Sequence, residues 1–243
     1  MCDAGRALAL ALALSCAHTA ASAAGGDPGA GPAPRAPEPA EPAPAAAADC
    51  AAALTARVQA RYDRMRDLEA RFVQRTASAL APSAEPMSGR VVLAKPGRMR
   101  WSYETPEPSE VVSDGRTLWI YDPAAREAQK FAVGEQFLSG AAFQFLLGSG
   151  RIADSFQVRA DRCDAPRARL TLTPTADATY QALELEIDVA SGEASATAVV
   201  DLFGNRTEVE FSELRYDRAP AASMFQFVPP QDVRVLEPEP AAH

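Results

Sequence analysis

Histidine is almost absent from the sequence: the only two are His18, near the start of the chain, and His243, its last residue. Histidine is the commonest general base and metal ligand near neutral pH. A Ser-His-Asp triad is therefore excluded from the stretch between them, and a cysteine nucleophile there would have no histidine partner. Glycine-rich loops with phosphate-cradling spacing are also missing. We therefore predict a binding protein rather than an enzyme, with no metal and no cofactor.

Positive charge is scarce, since the net charge is −8 with 24 basic and 32 acidic residues. Binding to nucleic-acid phosphates requires a basic footprint, so a nucleic-acid partner is excluded. After the first residues, no apolar run is long enough to form a transmembrane helix.

The N-terminus has the pattern of an export signal over residues 1–24. Arg6 supplies the positive charge, "ALALALALSCA" is a short apolar stretch, and "ASA" at 21–23 is a suitable cleavage site. The alternative interpretation is lipidation at Cys16, although Ala13 occupies the position where such sites prefer leucine. The signal predicts a periplasmic protein, and the alternative would anchor it to a membrane.

The remaining chain divides by composition. Residues 25–48 contain 20 Pro, Ala and Gly residues out of 24 and are predicted to form a disordered tether. Residues 49–236 are long enough for one domain with a substantial core, and 237–243 form a tail. Cys50 and Cys163 are the two cysteines outside the signal, so an exported domain favours a disulfide between them. Two buried thiols are the alternative.

Periodicity predicts a mainly β fold with a long N-terminal helix. Apolar residues at spacings of three and four predict a helix over 51–76. About eleven short alternating strands follow, including a last one in "FQFVPPQDVRV". A weak helix around 137–145 and a second over 151–155 interrupt them. So many strands must curl, so we expect a strongly curved, unclosed antiparallel β-barrel with a short helical lid over an apolar cavity.

Four motifs then occur in order along the chain. They are "ARFVQR", assigned to the end of the first helix, "GRVVLAKPGRMRWSYETPE", "VVSDGRTLWIYDP" and "FQFVPPQDVRV". Together they resemble the Phe-x-Gln helix end, the two successive hairpins and the closing Phe-x-Phe-x-Pro-Pro segment of the periplasmic outer-membrane lipoprotein carrier family (LolA).

The resemblance implies a periplasmic chaperone that shields the acyl chains of lipoproteins and carries them from the inner to the outer membrane. Its implied partners are acylated lipoproteins, an inner-membrane lipoprotein-release ABC transporter and an outer-membrane acceptor lipoprotein, and we expect a monomer. The alternative is a membrane-tethered receptor or envelope lipid sensor on the same fold, anchored through Cys16.

Candidate residues for the acyl-binding cavity and its lid are apolar or aromatic and come from several elements. They are Phe72, Leu93, Met99, Trp101, Tyr103, Leu118, Ile120, Phe143, Phe145 and Leu146. The family typically places an arginine that latches the lid before the proline of the first hairpin. Lys95 stands there in this chain, and lysine lacks the planar donor fork of arginine, which predicts a weaker latch. A solvated lysine at a strand end is the alternative.

Overall fold

The computed structural model describes residues 45–78, 84–133, 150–163 and 165–237. These residues form one long helix, two short helical turns and twelve strands. The helical elements are α1 (Ala45–Arg64), α2 (Ile152–Ser155) and a 3-10 turn (Ala222–Phe225). The strands are β1 (Asp67–Ala77), β2 (Met87–Ala94), β3 (Arg98–Thr105), β4 (Ser109–Asp114), β5 (Thr117–Asp122), β6 (Glu127–Ala132), β7 (Phe156–Asp161), β8 (Arg167–Pro174), β9 (Tyr180–Asp188), β10 (Ala194–Asp201), β11 (Arg206–Tyr216) and β12 (Arg234–Leu236).

All twelve strands belong to one curved, unclosed sheet in the order β12-β6-β5-β4-β3-β2-β1-β11-β10-β9-β8-β7. Neighbouring strands are antiparallel except β12, which pairs in parallel with β6. The predicted fold class is confirmed, with one strand more than expected and one parallel pair. The first and last strands of the main meander, β1 and β11, meet in the middle of the sheet.

The first helix is shorter than predicted, and this part of the prediction was wrong. It begins at Ala45, four residues inside the predicted tether, and ends at Arg64 instead of residue 76. "ARFVQR" therefore lies on β1 and not at a helix end. Leu68 and Phe72 are four residues apart, and a spacing of four places residues on one side of a strand as well as on one side of a helix. The sequence pattern alone cannot separate the two in so short a run.

Strand pairing decides the conformation of this segment. Strand β1 pairs with β2 along Asp67–Gln74 and with β11 along Leu68–Ala77. A central strand satisfies its backbone donors and acceptors on both sides, and alternation then separates an apolar face from a charged one. Ala70 and Phe72 are buried on one face, while Arg75 points to the other and pairs with Glu210 at 2.9 Å.

The C-terminal segment also differs from the prediction. "FQFVPPQDVRV" forms a strand only from Arg234, because the two prolines at 229–230 have no N–H to donate to a sheet. The short helix predicted over 151–155 is confirmed as α2. Strand β7 was not anticipated from the sequence, and the predicted lid helix around 137–145 lies outside the described residues.

Two apolar cores lie on the same face of the sheet. The helix core consists of Leu54, Val58, Ile152, Phe156, Ala168, Leu170, Leu172, Tyr180, Leu183, Leu185 and Ile187. The aromatic core consists of Ala70, Phe72, Val91, Leu93, Met99, Tyr103, Val111 and Leu118. Strand register links them, since Leu185, Thr197, Val209 and Gln74 lie directly opposite one another across β9, β10, β11 and β1. Helix α1 contributes to the first core, over the half of the sheet that ends in β7.

Cys50 in α1 and Cys163 after β7 form a disulfide, with Cα atoms 6.2 Å apart. The bond joins residues 113 positions apart in the sequence and fixes the N-terminal part of the helix beside the sheet. A crosslink that closes so long a loop stabilises a domain by about 4–5 kcal/mol on the chain-entropy account. No helix among the described residues has the length and apolar character required to cross a membrane.

Candidate binding face

The half of the sheet that the helix core leaves open carries the aromatic core and a rim of half-buried apolar side chains. The rim consists of Leu68, Met87, Trp101, Ile120, Phe131, Val133, Val209, Phe211 and Leu214. We call this surface, from β6 through β1 to β11, the inner face. A half-buried apolar side chain keeps part of its surface available for contact with an apolar ligand.

The aromatic side chains of the inner face converge. The Phe72 ring centroid lies 4.8 Å from that of Trp101 and 5.1 Å from that of Tyr103. Trp101 on β3 also approaches Phe211 on β11, with centroids 6.3 Å apart. Three strand spacings separate these strands, which amounts to about 14 Å in a flat sheet. The approach follows from curvature toward the inner face, which is therefore concave.

A glycine makes room for two of these rings. Gly89 on β2 lies directly opposite Phe72 on one side and Tyr103 on the other. A Cβ at this position would lie 1.9 Å from the carbonyl oxygen of Ser102. The Phe72 and Tyr103 rings meet edge to face, which is a favourable arrangement for aromatic pairs. The aromatic core therefore depends on the close approach of the β2 and β3 backbones.

The opposite face of β3–β5 is covered by the chain itself. After β11, the C-terminal segment crosses behind these strands, and Phe225 is only 1% exposed. Phe227 lies 5.4 Å from the ring of Trp119 and 5.1 Å from that of Tyr121. Strand β5 is apolar on both faces for this reason: Leu118 and Ile120 face inward, and Trp119 faces the C-terminal segment.

The outer face around β9–β11 is charged and internally paired. Arg206 contacts Glu184 at 3.0 Å and Glu208 at 2.6 Å. The hydrogen bond from Arg206 keeps the pKa of Glu208 below its ordinary value, despite the opposing effect of partial burial. The charges of these residues are paired with one another. They form a solvated surface with a structural role.

Lys95 is positioned to hold the end of helix α1. Its Nζ donates a hydrogen bond to the carbonyl oxygen of Tyr62, and the same Nζ lies 4.1 Å from the centroid of the Tyr62 ring. Burial lowers the pKa of Lys95. Lys95 is therefore not a solvated strand-end lysine. The side-chain contacts described for Lys95 go to Tyr62 of α1. The segment that it was predicted to latch lies outside the described residues.

The sequence-predicted cavity residues fall into three groups. Phe72, Leu93, Met99, Tyr103 and Leu118 are buried members of the aromatic core. Trp101 and Ile120 are half-buried members of the rim. Phe143, Phe145 and Leu146 lie outside the described residues.

Sequence reasoning missed Val209, Phe211 and Gln74. The first two alternate with charged residues in "RTEVEFSELRY", a signal that predicts the strand but not its place beside β1. Gln74 is polar, and polarity usually indicates an exposed position. It is 3% exposed.

The polar chemistry of the inner face is neutral. The Tyr103 hydroxyl donates to Gln74 Oε1 at 3.0 Å, and burial raises the pKa of Tyr103. No group of three or more His, Cys, Asp or Glu side chains that could hold a metal occurs among the described residues. The arrangement is suited to holding an apolar ligand by contact area, with a few neutral hydrogen-bonding groups.

Comparison with known proteins gives consistent matches over most of the chain. The model of the family described as "Outer membrane lipoprotein carrier protein LolA" matches residues 63–228. An outer-membrane lipoprotein carrier protein from Dechloromonas aromatica is 28% identical over 172 residues, which cover 70% of this chain and 81% of that protein. The protein of the same name from Bordetella pertussis is 31% identical over 168 residues, covering 68% and 78%.

Among solved structures, a LolA superfamily protein from Nitrosomonas europaea superimposes with a TM-score of 0.43 and 12% identity. The match covers 73% of this chain and 97% of that protein.

Proposed function

Because the chain belongs to the LolA family of outer membrane lipoprotein carrier proteins, we propose that it binds the acyl chains of lipoproteins on its inner face. In this proposal the protein is a chaperone exported to the periplasm by a cleaved signal over residues 1–24. It carries its cargo from the inner to the outer membrane, so it receives lipoproteins from a release transporter of the ABC class and delivers them to an acceptor lipoprotein.

One observation carries this proposal: the inner face is concave, and its rim is apolar and half-buried. Trp101, Ile120 and Phe211 contribute rim surface from three different strands. Each methylene of an acyl chain that leaves water gains about 0.8 kcal/mol. A multiply acylated protein therefore needs a protein surface of this kind to cross an aqueous compartment.

Release requires that the acyl chains are not held as tightly as their area permits. A segment that closes over them with only a small free-energy gain achieves this, because its opening then needs little work from the acceptor. We propose that residues around Phe143, Phe145 and Leu146 provide this cover. In this proposal Lys95 acts as a latch for this segment that is weaker than an arginine would be.

The two tryptophans allow a direct test, because Trp101 lies on the inner face and Trp119 faces the C-terminal segment. A synthetic triacylated lipopeptide with brominated acyl chains quenches only tryptophans that its chains touch. We expect quenching in the Trp119→Phe variant, where Trp101 is the reporter, and little in Trp101→Phe. Quenching confined to Trp119 would place the chains on the wrong side of the sheet.

The intact mass of protein recovered from the periplasm tests the mode of export. A soluble carrier begins near Ala24 and co-purifies with acylated protein or lipopeptide. A chain that retains Cys16 with an added lipid and carries no acyl cargo supports the tethered receptor or sensor instead.

A further inference from the structure

One polar side chain is buried inside the apolar surface of the inner face. Gln74 is the glutamine of the Phe-x-Gln motif, and its side chain is on the same side of β1 as Phe72. Met87 on β2 and Val209 on β11 lie directly opposite it, and both belong to the apolar rim. Gln74 is nevertheless only 3% exposed.

Only one of the two polar atoms in the Gln74 amide has a hydrogen-bond partner among the described residues. Its Oε1 accepts a hydrogen bond from the Tyr103 hydroxyl at 3.0 Å. Its Nε2 is buried and has no hydrogen-bond partner among the residues described, and the same is true of the indole Nε1 of Trp101. Buried donors are almost always paired in folded proteins. Two unpaired N–H groups on one binding surface therefore indicate a ligand that supplies the acceptor.

Tyr103 orients the amide. A buried phenol remains protonated near neutral pH, and burial raises the pKa of this one further. Because the Tyr103 hydroxyl donates to the oxygen of Gln74, the amide nitrogen is left for another acceptor. Phe72 packs against both Tyr103 and Trp101, so the rings that surround the two donors are held together.

The surroundings restrict the ligand chemistry. Both donors are uncharged, and the groups around them are aromatic and aliphatic. An anion would lose its hydration here without gaining an opposite charge in return. A neutral carbonyl oxygen needs only an N–H donor, and every acyl chain attached through an ester or amide has one at its head.

We propose that the amide N–H of Gln74 forms a subsite for the carbonyl oxygen of an acyl ester or amide. This inference rests on the proposed function and adds to it. Contact with the rim accounts for affinity for any long hydrocarbon chain. The subsite distinguishes acyl chains from alkyl chains and sets how far a chain slides along the inner face.

The test compares a dipalmitoyl-glyceryl cysteine lipopeptide with its dialkyl-ether analogue of equal chain length. Dissociation constants are measured for the wild type and for Gln74→Met, which preserves side-chain length but removes the amide. We expect the wild type to bind the ester about tenfold more tightly than the ether, the effect of one hydrogen bond. Gln74→Met should bind both equally. Gln157→Met is the matched control: this exposed glutamine on β7 lies on the face opposite the buried Phe156, and its replacement should keep the preference.

If Gln74→Met unfolds because the Tyr103 hydroxyl loses its acceptor, the double variant Gln74→Met/Tyr103→Phe removes both partners and answers the same question. Equal binding of ester and ether by the wild type would overturn the subsite but leave acyl binding intact. A preference that survives in Gln74→Met would also overturn it. Binding of neither lipopeptide would overturn the proposed function as well.

Discussion

Phe72 on β1 and Tyr103 on β3 meet edge to face across Gly89, with ring centroids 5.1 Å apart. The intervening strand contributes no side chain at this point, so the two rings pack where a residue of β2 would otherwise lie. This contact joins β1, which the sequence pattern predicts as the end of the first helix, to β3.

Gly89→Ala should destabilise the domain, because its Cβ would lie 1.9 Å from the Ser102 carbonyl oxygen and the β2–β3 pair would have to separate. We expect a loss of about 1–3 kcal/mol in the free energy of unfolding, measured by urea denaturation. Gly204→Asn is the control, since that position has a positive φ that asparagine tolerates and no atom within 4 Å of its Cβ. Equal stability of Gly89→Ala and the wild type would contradict the packing described here.

The C-terminal segment should contribute to stability through Phe225, which is 1% exposed behind β3 and lies beside the guanidinium of Arg98 at 5.2 Å. Phe225→Ala should lower the free energy of unfolding by about 3–5 kcal/mol. Val228→Ala, three residues later and 83% exposed, should change it by less than about 0.5 kcal/mol. Similar effects of the two variants would show that this segment does not pack against the face of β3–β5 opposite the inner face.

The sequence predicts the sheet better than the binding face. The alternation of apolar and polar residues along a strand is a local signal, whereas the approach of side chains from different strands depends on nonlocal pairing. Val209 and Phe211 alternate with acidic residues, so the strand that holds them is readable from the sequence alone. The proximity of Phe211 to Trp101 depends on the pairing of β11 with β1, which joins segments more than a hundred residues apart. The helix prediction over 51–76 failed for a related reason, since the pairing that makes 67–77 a strand is also nonlocal.

Gln74 illustrates a second limit. Composition assigns a glutamine to the surface, and only the fold reveals that it is enclosed by Met87, Val209 and Tyr103. The opposite case is Leu118, which was predicted to line the cavity. Its side chain is 1% exposed and packs within the aromatic core.

Variants at Phe211 and Ser212 distinguish an effect on ligand binding from an effect on stability. The two residues are neighbours on β11, with Phe211 on the inner face and Ser212 exposed on the opposite face of the sheet. Phe211→Gln should weaken binding of a triacylated lipopeptide by at least about tenfold, since it replaces an aromatic contact by a polar group. Ser212→Gln should bind as the wild type does. The measurement is a titration followed by native mass spectrometry, with thermal unfolding to verify that both variants are folded. Unchanged affinity in Phe211→Gln would exclude this part of the rim from the binding surface.

The ion pair between Arg206 and Glu208 should make a pH-dependent contribution to stability. The hydrogen bond from Arg206 lowers the pKa of Glu208 in the folded state. The contribution is therefore complete above the unfolded-state pKa of about 4.3 and is lost as the pH falls through the lower, folded-state value.

Glu208→Gln isolates this contribution. It should cost about 0.5–1 kcal/mol of unfolding free energy at pH 7, a value limited by the partial exposure of the pair, and a smaller amount near pH 3. Urea denaturation of variant and wild type at both values measures the difference. Asp177→Asn, at an exposed loop position, should have no comparable effect at either pH. A deficit of Glu208→Gln that is equally large near pH 3 would mean that Glu208 acts through packing and not through its charge.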